Sequence, residues 1–264
     1  MVPKWCGLWL LALVLSNLLT TRALSVPMTI PTIPLPPPLC WARSTAPLNG
    51  LGISSTADPN QFISITFDTP SAFSSHNLIK ACCPKRLPRN SITILDCTLG
   101  LGSDAHLLFS AGCSVIGCER DARVHALVSD AFDRLPGADS RMNIFQVSAE
   151  DKIREMLEEC GGESCNVDTI YIDTMFPKRK KNRPPAKLHM ELLRTLLETE
   201  DMTEDGEECS ELFKLALELA GRGKGGGRVV VKRPKGSEEL GGEKKPVTFV
   251  VGGKGAVRFD CYEC

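Results

Sequence analysis

From Ile92 to Tyr262 the apolar positions follow two spacings. Short runs rich in Val, Ile and Leu predict buried strands, and longer segments with an apolar residue every three or four positions predict helices. Ile92, Ile94 and Leu95 predict a first strand that ends at Asp96. "SDAHLLFSAG" predicts a helix opened by Ser103 and Asp104 and stopped at Gly112. "CSVIGCER" predicts a second strand ending at Glu119, "DARVHALVSDAFDRL" a helix, and "MNIFQV" a third strand. "SAEDKIREMLEEC" predicts a helix capped by Ser148, and "VDTIYID" a fourth strand ending at Asp173. "AKLHMELLRTLLE" and "GEECSELFKLALELAG" predict two further helices, and "GGRVVVKRP" a fifth strand. "VTFVVGGKGAVRFDCYE" predicts a hairpin that turns at Gly252–Gly255. Alternation of this kind predicts an α/β fold whose parallel sheet closes on an antiparallel pair.

The first strand-to-helix turn carries candidate chemistry. In "ITILDCTLGLGSDA" Asp96 ends the strand, and Gly100 and Gly102 allow positive φ and close approach of a ligand to the backbone. Strand, glycine turn and helix N-terminus make a nucleotide-type site at the carboxyl end of a parallel sheet. "GLGSDA" satisfies G-x-G-x-x-G/A, a pattern that a purely structural turn also satisfies. Glu119, at the tip of the second strand, is placed to accept hydrogen bonds from both ribose hydroxyls of an adenosine. NAD and S-adenosylmethionine (SAM) both carry one. The terminal hairpin favours a methyltransferase, because dinucleotide domains typically add a sixth parallel strand.

The exit of the fourth strand, "YIDTMFPKRKKNR", looks like the D/N-P-P-Y/F acceptor loop of methyltransferases that act on exocyclic amines. An amino group on a nucleobase is a poor nucleophile, because its lone pair is delocalised into the ring. A carboxylate at Asp173, with nearby carbonyls, accepts its N–H bonds and aims the lone pair, and Phe176 stacks on the base. Thr174, Met175 and Pro177 complete the loop. Lys178, Arg179, Lys180, Lys181 and Arg183 follow it, and Lys232, Arg233 and Lys235 follow the fifth strand. Cations gathered beside such a loop suit a phosphate backbone.

Composition changes this picture little. The 264 residues carry a formal net charge of −1, so the chain as a whole is no polycation. Its twelve cysteines lack the paired spacing of a zinc site, and no metal is expected. Cys97 and Cys118 read as small buried hydrophobes. The terminal "CYEC" reads as incidental, with a redox or metal role as the alternative. "MVPKWCGLWLLALVLSNLLTTRALS" has the pattern of a secretory-type signal. Residues 1–25 are therefore read as a targeting segment, 26–75 as a Pro/Ser/Thr-rich, poorly ordered leader, and 76–264 as the catalytic domain. Such a leader suits import into a plastid or mitochondrion. A protein whose true start lies further downstream would be cytoplasmic. Membrane contact is expected only if the first segment is an uncleaved anchor.

The segments "LDCTLGLGSDA", "GCSVIGCER", "YIDTMFPKRKK", "RVVVKRP" and "RFDCY" together resemble the bacterial small-subunit ribosomal RNA guanine-N2 methyltransferase J family (RsmJ). The family pattern runs D-x-T-x-G-L-G-x-D-A, G-C-x-V…E-R, D-P-M-F-P, V-V-V-K-R-P and R-F-D-x-Y. The resemblance extends from Ile92 to Tyr262. It implies a Rossmann-like class I methyltransferase fold with a mostly parallel seven-stranded sheet, SAM as methyl donor, and guanine N2 of small-subunit rRNA, or the ribosomal subunit itself, as acceptor. It also implies cofactor contacts at Ser103, Asp104, Glu119, Arg120, Ser148, Ala149 and Asp173. Two departures stand out. Thr174 replaces the family's proline, and "DTPSAFSSHNLIKACCPKRLPR" occupies the place of a basic, glycine-rich segment. The alternative functions are an NAD(P)-linked oxidoreductase and a non-catalytic RNA-binding relative of the methyltransferases.

Overall fold

The central strands bury side chains on both faces, as their nearly continuous apolar runs predict. The structure is a computed structural model that describes residues 51–55, 63–67, 76–173, 206–223, 226–240, 244–251 and 257–264. All of these fall in one compact unit, Thr45–Cys264. In chain order the strands are β1 (Leu51–Ser55), β2 (Ile63–Phe67), β3 (Thr93–Asp96), β4 (Ser114–Cys118), β5 (Met142–Phe145), β6 (Thr169–Asp173), β7 (Arg228–Pro234), β8 (Thr248–Val251) and β9 (Val257–Glu263). The helices are α1 (Asn77–Cys82), α2 (Ser103–Ser110), α3 (Ala122–Asp133), the single turn α4 (Ala138–Arg141), α5 (Ala149–Glu159) and α6 (Gly206–Gly221).

Seven strands form one sheet in the order β5-β4-β3-β6-β7-β9-β8. The five from β5 to β7 run parallel. β9 runs antiparallel to both β7 and β8, and so slots between them. The expected sheet and its antiparallel close are both present. Among the described residues no sixth parallel strand follows β7, as an NAD(P) domain would require.

The two-residue period of the strands sorts the core. Ile94, Tyr171 and Val230 pack with α1, α2 and α3 through Leu78, Ile79, Leu108, Phe109 and Phe132. Their chain neighbours Leu95, Ile170, Ile172, Val229 and Val231 pack with α5 and α6 through Ile153, Phe213, Ala216 and Leu219. Two polar ties close the end of α1 on the sheet. Thr169 Oγ1 donates to the Cys82 carbonyl at 2.8 Å, and Arg228 Nη1 donates to the Ala81 carbonyl at 2.8 Å. Both satisfy carbonyls that a helix end leaves without intrahelical partners.

Two strands fall within the range read as a leader. β1 and β2 pair antiparallel, and Ile65 is fully buried beside Leu101, Val124 and Ala131. The Phe67 ring stacks on His106 at 4.4 Å and lies 4.8 Å from Phe132. Ile65 and Phe67, two residues apart on the strand, supply this apolar face, and the surrounding Ser, Thr and Pro conceal it in the composition. Residues 1–50 and the helix expected over 186–198 lie outside the described residues.

Cys97 and Cys118 are buried, as is Cys261 in β9, and neither Cys261 nor Cys264 is disulfide-bonded. A disulfide joins Cys160 to Cys165, a pairing that the sequence spacing did not single out. Among the described residues no helix is long and apolar enough to cross a membrane.

Candidate active site

Backbone geometry at the end of β3 builds the first half of the site. Gly100 and Gly102 both take positive φ, at 51° and 75°. Gly102 is the N-cap of α2 and offers no side chain to the helix's first N–H groups. A Cβ on Gly102 would lie 2.7 Å from Val128 and 2.8 Å from Phe132, so glycine is required for space as well as for backbone conformation. The expected helix opening at Ser103 and Asp104 is one residue past this cap. The helix ends at Ser110, with Gly112 at φ 106° two residues beyond.

Glu119, just past β4, is held by the same turn. Its Oε2 accepts from Gly100 N–H at 3.0 Å and its Oε1 from Asp121 N–H at 2.8 Å. Burial pushes its carboxyl above the ordinary range, and these two N–H groups oppose the rise. Each oxygen keeps a further lone pair for a ligand hydroxyl. Arg120 is exposed beside it. Ser148 caps α5 by accepting from Asp151 N–H at 3.1 Å, and Ala149 is buried at the first position of that helix.

Thr98 joins this half to the second. Its N–H donates to Asp96 Oδ1 at 3.0 Å, and its hydroxyl accepts from Asp173 N–H at 2.8 Å. The tips of β3 and β6 are thereby locked together. Asp96 is 1% exposed, and burial lifts its carboxyl to about 7, with Asp104 and Asp173 adding to the rise. Burial likewise raises Asp173 to about 6. The charge of Lys232 opposes that shift and Asp104 adds to it. For Asp104, burial is outweighed by Lys232 and Tyr171, and its carboxyl stays below the ordinary range. Asp104 and Asp173 keep 28% and 29% of their side-chain surfaces open, so a ligand can reach both.

Lys232 was expected among the phosphate contacts. The structure places its ammonium 2.8 Å from Asp104 Oδ2 and 2.7 Å from Asp173 Oδ2. Arg233 instead donates to the Glu238 carbonyl at 3.0 Å and is half-buried, and Lys235 is exposed. Tyr171 was not anticipated. It is fully buried, and its hydroxyl donates to Asp104 Oδ2 at 2.6 Å. His76, at the N-cap of α1, lies in the field of Asp104 and Lys232, and burial lowers its imidazole. Thr174, Met175, Phe176, Pro177, Lys178, Arg179, Lys180, Lys181 and Arg183 lie outside the described residues. Among the described residues no three His, Cys, Asp or Glu side chains are grouped as metal ligands would be.

Comparison with known proteins joins this geometry to a family. A family model described as "Putative SAM-dependent methyltransferase" matches residues 70–264. The ribosomal RNA small subunit methyltransferase J of Rhodopseudomonas palustris is 34% identical over 195 residues, which cover 71% of this chain and 78% of that protein. The chain belongs to the methyltransferase J family of SAM-dependent methyltransferases. The methyltransferase J of Shewanella piezotolerans is 37% identical over 177 residues, covering 64% of this chain and 59% of that relative's length. A SAM-dependent methyltransferase from Neisseria gonorrhoeae, known from its crystal structure, shares the fold at 24% identity and a TM-score of 0.50, covering 83% of this chain and 85% of that one. Each motif on which the methyltransferase J resemblance rests reaches the carboxyl edge of the sheet or the hairpin beside it, and β1 and β2 lie before the matched region.

Proposed function

We propose that this protein transfers the methyl group of SAM to an exocyclic amine of RNA, namely guanine N2 of small-subunit rRNA. One observation carries the reading. The glycine turn with Glu119 and the strand end that carries Asp173 share one sheet edge, and the Asp173 backbone N–H donates to the Thr98 hydroxyl of that turn. A cofactor site and an amine acceptor site are thus held at fixed separation.

The residues fit the cofactor. Glu119 has lone pairs for the two ribose hydroxyls. The uncapped N-terminus of α2 and the positive-φ glycines let a ligand lie close against the backbone. Asp96, Gly100, Gly102, Ser103, Asp104, Arg120, Ser148 and Ala149 are the remaining positions assigned to it. Acidic side chains on this edge suit a sulfonium cation. When bound, the cofactor supplies an electrophilic methyl group.

The chain does the rest by positioning. The Asp173 carboxylate accepts N–H hydrogen bonds from the guanine amine and aims its lone pair at the incoming methyl group. It also offsets the positive charge that grows on nitrogen and lies within reach to take up the released proton. Phe176 is assigned to stacking on the base. Lys178 to Arg183 are assigned to the flanking phosphates. The relatives' name specifies small-subunit rRNA, and the same acceptor is proposed here.

The test is transfer of labelled methyl from SAM to isolated small-subunit rRNA and to small subunits. Wild-type protein should label at least one of these, and Asp173→Ala should label neither. Near-normal labelling by Asp173→Ala would refute the amine assignment. Tight binding of NAD without any response to SAM would refute the cofactor assignment.

A further inference from the structure

β6 and β7 pair in parallel with Tyr171 opposite Val230 and Asp173 opposite Lys232. Residues paired in this way point to the same face of the sheet. The Lys232 side chain, 20% exposed, therefore lies alongside Asp173 and bridges it to Asp104, at 2.7 and 2.8 Å. The Tyr171 hydroxyl donates to the same Asp104 oxygen. Lysine stems are ordinarily mobile and their ammonium groups strongly hydrated. Holding one between two carboxylates takes it out of service as a general phosphate contact.

We propose that Lys232 is a positioning residue that fixes the Asp173 carboxylate for the acceptor amine by clamping it to Asp104. The inference rests on the reading of Asp173 as the amine acceptor. With Oδ2 held by the ammonium, Oδ1 is the oxygen left for the substrate N–H.

The charges around Asp173 make this consequential. It faces Asp96 from β3, Asp104 from α2, the Tyr171 hydroxyl from its own strand, and Lys232 from β7, while His76 at the N-cap of α1 acts on Asp104 and Lys232. Three carboxylates share this pocket, and Lys232 is the ammonium set between two of them. Without it, repulsion from Asp96 and Asp104 drives Asp173 to bind a proton. A protonated carboxyl carries no charge to set against the developing cation and is a poorer acceptor. Asp104 acts on Asp173 in the opposite sense to Lys232, so the two should shift its titration in opposite directions.

The experiment follows the Asp173 carboxyl by carbon-13 NMR across pH in the full-length protein without ligand. Lys232→Met should raise the Asp173 midpoint by about one unit or more, the usual effect of removing a partner charge at this distance. Asp104→Asn should lower it, and Lys232→Arg, which keeps the charge, should hold it near wild type. If Lys232→Met does not fold, the Asp104→Asn and Lys232→Arg pair carries the test. An Asp173 midpoint that ignores these substitutions overturns the proposal. In methyl transfer to small-subunit rRNA, Lys232→Met should move the acid limb of kcat to higher pH and leave the KM for RNA and its salt dependence unchanged. A raised KM with a flattened salt slope and an unmoved limb would make Lys232 a phosphate contact and overturn the proposal. If wild-type protein transfers no methyl group, the proposed function fails, and the NMR comparison still decides the link between Lys232 and Asp173.

Discussion

Glu119 occupies both carboxylate oxygens with backbone N–H groups and so braces the turn, beside the ligand role proposed for it. Replacing it with Ala leaves those donors unpaired, and SAM binding measured by titration calorimetry should weaken by about 1–3 kcal/mol. Glu119→Gln keeps one acceptor oxygen and should lose less. Asp96 and Asp173 bear on stability, apart from the roles proposed for them. Their folded-state carboxyls sit at about 7 and about 6, raised chiefly by burial. An unfolded aspartate titrates near ~3.9, so each contributes stability that is fully present below that pH and is lost as pH rises through the folded value. Asp104 is lowered, and its contribution is instead lost on acidification. Asp96→Asn keeps an oxygen for Thr98 N–H and removes the buried charge. Relative to wild type it should therefore gain stability between about pH 4 and 7, by up to ~4 kcal/mol. Urea unfolding at pH 5 and pH 7.5 checks this, and equal differences at the two pH values would contradict it. The positions of Glu119, Asp96 and Asp104 were legible in the sequence, because two stand at or just past strand tips and the third opens the helix after the glycine turn. The bond between Lys232 and Asp173 was not, because it depends on the register of β6 against β7, which no local pattern specifies.

At the scale of elements, the turn between β3 and α2 joins function to packing. Gly102 adopts φ 75° with Val128 and Phe132 closing on the space where a Cβ would stand. Gly102→Ala combines left-handed strain with overpacking and should cost ~2–4 kcal/mol in denaturant unfolding. Unchanged stability would contradict the close packing of α3 on the turn. β2 lies against the same residues. Ile65 is fully buried and Phe67 stacks on His106, so Ile65→Ala should cost ~2–5 kcal/mol by the same measurement. Most helices were legible from the apolar spacing, one of them with its cap at Ser148. The strand at Ile63–Phe67 was hidden for a physical reason. It is short and set in a Ser/Thr/Pro-rich stretch, and its burial comes from α2 and α3, which lie far along the chain.

For the whole molecule, the repeated strand–helix period made the parallel sheet legible, and the two apolar runs near the C-terminus made the antiparallel close legible. The insertion of β9 between β7 and β8 was not, because a hairpin can dock either of its strands on the neighbouring edge. With a formal net charge of −1, the proposed attraction to RNA would have to come from local clusters. Changing Lys180, Lys181 and Arg183 together to Ala should weaken RNA binding and flatten its salt dependence, by about 0.7–0.9 in slope for each phosphate no longer neutralised. Cofactor affinity should stay near wild type. An unchanged slope would mean that the cluster is a solvated face. The account as a whole stands on the acceptor atom. Small-subunit rRNA lacking its native methyl groups is incubated with SAM and the full-length protein, then digested to nucleosides and examined by mass spectrometry. The account predicts N2-methylguanosine with wild-type protein and none with Asp173→Ala. Methyl groups on a ring carbon, a ribose oxygen or another base, or an equal yield from Asp173→Ala, would contradict it.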